Sequence, residues 1–415
     1  MFSKYIIFPI NLVFFLMTCV IMRKIFELFN KKWLGLIAIL LYGLSMGAAS
    51  TVIFLRMYMM ITFFGLTYVY INLRISKNNL DITKKDKWQL FFTVLLGFLT
   101  QYYFCIFALF IFAIMFIRFI QKKQYKMLRK YIIIHIVTAI VGIILFPASI
   151  YHIFFSYRGA GAGDNGKTIT DAILLYLGRL GEAFSVNNVV MYVLFGAVVI
   201  GVLIKLIRKF INRKNDKTEK LFQYILLLVP TILYFVFVAK ISPVVEVKYA
   251  VRYIMPILPE IAILTVLGLY RIFANKKVAY GITIGACLIV TINGMITNEP
   301  RYLYRGYNKY LEIANEYKEL DFVYVVDNAF TYINSMPEFM TYDKSIIINM
   351  NYDKLDFLKE DKELQSQDQF VLSIKKWMNV DECLNKILEY TGFSHYEVLL
   401  DQEDDTGSKI YLVSR

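Results

Sequence analysis

The residues of this chain best suited to chemistry are cations set beside aromatic rings at the edges of apolar runs. Arg56-Met57-Tyr58 stands where a long apolar tract turns back. There the guanidinium either snorkels to water next to a tyrosine of the interfacial belt, or offers its planar fork to the oxygens of a phosphate group. Lys248-Tyr249-Ala250-Val251-Arg252-Tyr253-Ile254-Met255-Pro256-Ile257-Leu258-Pro259 is a second such place. Two prolines three residues apart distort the first turns of a span and free backbone groups close to Arg252 and Tyr253. Glu260 follows at once, an acid inside an apolar run, costly there unless paired or wet and therefore a functional pointer. Gly161-Ala162-Gly163-Asp164-Asn165-Gly166-Lys167-Thr168 satisfies the phosphate-loop pattern letter for letter. A true phosphate loop joins a strand to a helix inside an α/β domain, whereas this one follows an apolar span. It reads instead as a glycine-rich loop leading into an amphipathic helix near 168–185, where backbone N–H groups and Lys167 can meet an anion, and no nucleotide is expected. His135, His152 and His395 are too scattered for a metal site, and the four cysteines offer neither a disulfide framework nor zinc spacing.

The elements that must hold these residues follow from composition. Of 415 residues, 58% are hydrophobic, 16% aromatic and 19% charged, with a mean hydropathy of +0.53. Soluble domains average about 45–50% apolar and about 25% charged, so an ordinary soluble enzyme and a disordered chain are both excluded. The formal charge of +14 is divided unevenly. Residues 1–297 carry 33 Lys/Arg against 10 Asp/Glu, and residues 298–415 carry 13 against 22. The basic residues fall between apolar runs rather than on one face, the pattern of membrane topology and not of a nucleic-acid surface.

A membrane-spanning helix needs about 20 apolar residues, and runs of that kind occupy 5–22, 131–155, 188–208, 221–239, 251–270 and 278–297. Two further tracts, 34–73 and 89–117, have basic clusters at both ends and so must go out and come back. The first is expected to turn near Ser45-Met46-Gly47-Ala48-Ala49-Ser50. The second is expected to form two short helices breaking at Thr100-Gln101-Tyr102, too short for both to cross, and therefore to line a cavity with Gln101 and Tyr102. The count gives about 10 transmembrane segments, with 25 Lys/Arg in five inside loops against eight elsewhere in residues 1–297. Both the N-terminus and residues 298–415 then lie outside. The expected architecture is thus mainly α, a multi-span membrane domain over 1–297 followed by an extracytoplasmic α/β domain over 298–415. In the latter, strand-like runs at 322–326, 345–350, 370–374, 395–400 and 409–413 alternate with helical stretches near 304–320, 354–364 and 381–391, which favours a mixed or mostly parallel sheet.

Three motifs in order, Arg56-Met57-Tyr58, Gly97-Phe98-Leu99-Thr100-Gln101-Tyr102-Tyr103, and Arg252-Tyr253 followed by Pro256 and Pro259, resemble the membrane glycosyltransferases of the GT-C superfamily. The branch most similar is the bacterial one related to dolichyl-phosphate-mannose protein mannosyltransferases, over about residues 5–297. The resemblance implies transfer of a sugar from a polyprenyl-phosphate carrier to an acceptor at the outer face of a bacterial cell membrane. It maps donor-phosphate binding onto Arg56 and Arg252, with Tyr58, Tyr253, Arg158 and Lys248 beside them. An acid in the first external loop of such enzymes takes the acceptor's proton, because a hydroxyl attacking the anomeric carbon must lose it as the bond forms. Cations serve the anionic phosphate that leaves.

This chain begins at a segment resembling the family's second span, and the only acid before Asp81 is Glu27, on the inner side. The expectation is a shortened copy that binds donor and transfers sugar poorly, unless Asp164, Asp171 or Glu246 substitutes as base. The alternatives are a lipid-linked saccharide flippase or polymerase, and a non-catalytic envelope partner protein. No cofactor is expected; a divalent cation stays open, with no residue arguing for one.

Overall fold

The computed structural model describes residues 4–53, 57–155, 168–184, 218–241, 252–272, 275–297, 307–326, 341–350, 355–401 and 408–415. The chain divides into two compact units, residues 1–303 and 304–415.

The first unit is helical: α1 (Lys4–Leu28), α2 (Lys32–Gly43), α3 (Met46–Ile53), α4 (Tyr58–Lys77), α5 (Lys84–Thr100), α6 (Tyr102–Gln121), α7 (Tyr125–Leu145), α8 (Ala148–Phe154), α9 (Ile169–Ala183), α10 (Thr218–Ile241), α11 (Leu258–Ile272) and α12 (Lys276–Thr297), with a 3-10 turn at Met255–Ile257. Among the described residues, four stretches are long and apolar enough to cross a membrane: Pro9–Leu28, Tyr102–Gln121, Tyr125–Leu145 and Leu221–Ile241. A fifth is added if α2 and α3, bent by 68° at Leu44–Ser45, count as one broken span. Large apolar side chains stay exposed along α1 (Val13, Leu16, Val20) and α7 (Ile136, Ile140, Ile144), which a lipid environment covers and water does not. By length and composition several of these helices can span a membrane, as a multi-pass membrane protein requires. Inside them, hydroxyls that would otherwise face apolar surroundings donate to the carbonyl four residues back, as Thr51 does to Gly47 and Thr231 to Leu227.

The tract over 89–117 breaks at Gln101 as its composition suggests, but its helices are not half-length. Thr83 and Asp86 form a capping box that starts α5 at Lys84, and Asp86 also pairs with Arg74 of α4. The basic cluster therefore joins the first turn of α5, while α6 runs 20 residues, about 30 Å at 1.5 Å per residue. The hairpin is sharp because the ring of Phe104 lies over Gly97, where a Cβ would stand 2.6 Å from it. The expected single run 131–155 also breaks, at Phe146-Pro147, where proline cannot continue the ladder of α7. The run 188–208 lies outside the described residues.

The second unit contains α13 (Tyr307–Glu316), β1 (Phe322–Val326), β2 (Ser345–Asn349), α14 (Phe357–Glu360), α15 (Lys362–Ser366), β3 (Gln369–Lys375), α16 (Val380–Thr391), β4 (His395–Asp401) and β5 (Ser408–Ser414). One mixed sheet runs in the order β2-β1-β3-β5-β4, with β1 parallel to β2 and β3, and β5 antiparallel to β3 and β4. β1 and β3 are central and buried on both faces, which is why they read as continuous apolar runs rather than alternating ones. On one face Val323, Val325, Phe370 and Leu372 pack with Leu384 and Ile387 of α16; on the other Phe322, Tyr324 and Val371 pack with Tyr310 and Ala314 of α13.

Candidate functional site

A cluster of one arginine and several tyrosines is built where the starts of α4 and α6 meet the turn leading into α11. Met255 and Pro256 open a 3-10 turn; Pro259 has no N–H to give the Met255 carbonyl, which accepts from the Leu258 N–H instead. The Thr62 hydroxyl of α4 donates to the Tyr58 carbonyl at 2.7 Å and comes within 3.5 Å of the Met255 carbonyl, where α4 packs against the turn. Arg252 lies three residues before this turn, near Tyr58 in the first turn of α4. Its Nη2 donates to the Tyr253 hydroxyl at 3.0 Å, and its Cζ stands 4.9 Å from the Tyr253 ring centroid. Tyr58 and Tyr103 lie within electrostatic reach of the same guanidinium. The Tyr103 and Tyr253 rings are 5.2 Å apart, and Tyr234 of α10 donates to the Tyr253 carbonyl at 3.0 Å. Tyr176 of α9 completes the group around Tyr103 and Tyr234. The Arg252 Nε is buried without a hydrogen-bond partner among the described residues.

Glu260 sits in the first turn of α11, wholly buried, and neither carboxylate oxygen has a hydrogen-bond partner among the described residues. Tyr42 of α2 and Tyr234 are its electrostatic neighbours. Tyr234 thus adjoins both the Tyr253 backbone beside Arg252 and the buried acid Glu260. The grouping of a guanidinium with phenol hydroxyls in surroundings of low polarity suits an anion.

Of the residues singled out in the sequence, Tyr58, Arg252 and Tyr253 come together. Gln101 caps the break between α5 and α6, with its Oε1 buried and without a partner among the described residues. Tyr102 turns to His152 of α8, ring centroids 6.4 Å apart, so it is Tyr103 that carries the break into the cluster. Asp171 is elsewhere: its carboxylate accepts from the Thr168 hydroxyl at 2.6 Å and its N–H donates to the same hydroxyl, an exposed cap at the start of α9. Arg56, Arg158, Asp164, Glu246 and Lys248 lie outside the described residues, as does the loop 161–167. Tyr176 and Tyr234 were not foreseeable, since nothing distinguishes them from other tyrosines in apolar runs. Glu260 carried a signal, an acid one residue after a proline in such a run. No group of three or more His, Cys, Asp or Glu able to hold a metal occurs among the described residues.

No protein-family model and no curated protein sequence matches this chain.

Proposed function

We propose that the chain is a GT-C-like membrane protein that binds a polyprenyl-phosphate-linked sugar at the outer face of a bacterial cell membrane, with Arg252 as the principal ligand of the donor phosphate. The observation that carries this reading is the convergence of Arg252, Tyr253, Tyr58 and Tyr103, drawn from three separate segments, on one place at the ends of apolar helices. A phosphate at the foot of a lipid carrier needs that combination: a cation with forked donors, hydroxyls for the remaining oxygens, and apolar surface beside it. The reading includes about 10 spans and an extracytoplasmic second unit, both from the distribution of Lys and Arg. The test is retention of a radiolabelled polyprenyl-phosphate sugar by membranes containing the chain. Arg252→Gln is expected to weaken binding roughly 10- to 100-fold, the scale of one charge-assisted hydrogen-bond set. Equal binding by Arg252→Gln and the parent chain would remove the assignment.

One observation favours a second reading. The acid of the cluster among the described residues is Glu260, with no exposed surface, and a general base must come within hydrogen-bond reach of the proton it takes. Binding without transfer fits a lipid-linked saccharide flippase or polymerase, or a non-catalytic envelope partner. Sugar transfer to added acceptor separates the two: transfer abolished by Glu260→Gln favours the enzyme, and binding with no transfer favours the alternative.

A further inference from the structure

The three helices that contribute to the Arg252 cluster from one end carry a second collection of cations and tyrosines at the other. α11 begins beside Arg252 and ends at Tyr270-Arg271; α10 supplies Tyr234 to the first cluster and, ten residues earlier, Tyr224 to the second; α4 begins at Tyr58 and ends where Lys77 donates to the Leu28 carbonyl of α1 at 2.9 Å. At that far end Lys31, in the turn between α1 and α2, donates to the Tyr270 hydroxyl at 2.9 Å, with its ammonium 4.6 Å from the ring centroid. The Arg271 guanidinium lies 3.6 Å from the Tyr224 ring centroid and interacts electrostatically with Tyr270 as well. Tyr280 of α12 meets the Tyr270 ring edge-on at 6.0 Å.

Two features separate this place from ordinary snorkelling. A snorkelling cation reaches outward alone, but here Lys31 and Arg271 fold back onto rings that adjoin each other. Neither meets a carboxylate among the described residues, so two like charges are held in one half-buried place on tyrosine rings rather than on acids. Like charges gathered without an acid are the electrostatic imprint of an anion. Exposed apolar side chains flank the place on the adjoining helices, Trp33, Leu36 and Leu40 on α2 and Val278 and Ile282 on α12, a surface suited to acyl chains.

We propose that Lys31 and Arg271, with Tyr224, Tyr270 and Tyr280, form a second anion site that takes the phosphate headgroup of an anionic membrane lipid. The site does not rest on the polyprenyl-phosphate reading of Arg252. Basic pockets between membrane helices bind such headgroups, and each basic residue near the surface contributes about 1 kcal/mol. Two of them correspond to a loss of roughly 10- to 30-fold in lipid affinity when both are neutralised.

The full chain, purified in detergent, would be titrated with phosphatidylglycerol, phosphatidylcholine or inorganic phosphate, and bound lipid read by native mass spectrometry. Retention of phosphatidylglycerol over phosphatidylcholine is expected, reduced at least tenfold in the Lys31→Gln, Arg271→Gln double variant. It is expected to be retained in Lys31→Arg, which keeps the charge. Undiminished retention by the double variant would overturn the site. Displacement of phosphatidylglycerol by an equal concentration of inorganic phosphate would overturn the lipid as its ligand.

Discussion

The cation clusters of the two units are partnered differently. In the second unit Lys344 meets Asp321, Asp361 and Glu363, Asp401 receives both Lys376 and Lys409, and Lys386 meets Glu382. In the helical unit Arg252, Arg271 and Lys31 lie on tyrosine rings instead. The division is not complete: in the helical unit Arg23 pairs with Glu27, Arg179 with Glu182, and Arg74 at the end of α4 with Asp86, the acid that caps α5, while in the second unit Lys359, Lys375 and Arg415 also lie over aromatic rings. The difference teaches where a ligand can enter. A carboxylate neutralises its cation and leaves no net charge for an arriving anion, whereas an aromatic face stabilises the cation and leaves its full charge on offer. The same contrast holds among uncharged groups. The second unit is held by apolar packing on both faces of its sheet, and the helical unit adds a buried polar network: Tyr68 meets Tyr131 at 2.9 Å and His135 Nε2 at 2.8 Å, while Tyr131 donates to Asn72 Oδ1 at 2.8 Å.

The largest test of this contrast is a cavity in the sheet. Phe370 is fully buried in β3 and meets Phe393 edge-on at 5.0 Å. Phe370→Ala is expected to lower the stability of the second unit by about 3–5 kcal/mol, read by amide hydrogen exchange in β1 and β3. A smaller loss is expected in the helical unit from Tyr131→Phe, which leaves Asn72 Oδ1 buried without its donor and costs about 1–3 kcal/mol. Equal losses would mean that the polar network matters as much as the sheet core, and the contrast would fail.

The legible parts of the molecule divide along the same line. The five strands of the second unit were readable within two residues of their ends because apolar runs bounded by polar turns are a local signal, and β1 and β3 are short and continuous. Parallel against antiparallel pairing was not readable, since the register is set by contacts between distant segments. In the helical unit the break at Gln101 was legible from polar residues interrupting an apolar tract, but its helix lengths were not, because a capping box between Thr83 and Asp86 recruits charged residues into α5. At the candidate site the sequence marks Arg252 and Tyr58 through their positions at tract ends. It is silent on Tyr176 and Tyr234, whose arrival depends on how α9 and α10 pack.

A pH profile sharpens the charge side of the comparison. Burial pushes the Lys344 ammonium down, but hydrogen bonds to Asp361 and Glu363 and the charge of Asp321 outweigh that and hold it above its ordinary value. Burial likewise pushes the Asp361 carboxyl up, and the Lys344 ammonium with the N–H groups of Leu364 and Glu363 reverses this, holding it below its ordinary value. A depressed carboxyl contributes stability that is present above the unfolded value, about 3.9 for Asp, and is lost as pH falls through the lower folded value. A raised ammonium contributes stability present below about 10.4 and lost as pH rises through the higher folded value. These groups therefore give a plateau between about pH 4 and 10 with a fall on each side. Lys344→Met is expected to lower the plateau by about 1 kcal/mol and to make the acid limb shallower. Denaturation of the full chain followed in the second unit from pH 2 to 7 provides the check, and an unchanged acid limb would show that Asp361 draws its stabilisation from the backbone N–H groups alone.

The smallest effect concerns how the two units end their helices. In the second, α16 stops at Gly392 with φ at 73°, its N–H donating to the Leu388 carbonyl at 2.9 Å. An added Cβ would meet nothing within 4 Å, so Gly392→Ala changes conformation alone and is expected to cost about 1 kcal/mol. Among the described residues of the helical unit the left-handed positions are held by side-chain-bearing residues, Asn30 at 54°, Asn79 at 54°, Leu80 at 65° and Lys123 at 56°. Asparagine visits this region readily, but lysine pays the clash of its Cβ with the following carbonyl. Lys123→Gly removes that clash and loosens the unfolded chain, so the two terms oppose each other and the net gain is at most about 1 kcal/mol. Asn30→Gly is expected to change stability by only a few tenths of a kcal/mol. Glycine thus stabilises at Lys123, is neutral at Asn30, and is itself required at Gly392, an ordering that denaturation midpoints of the three variants can reverse or uphold. A loss at Lys123 as large as that at Gly392 would mean that the lysine side chain, and not the turn's backbone, holds the connection between α6 and α7.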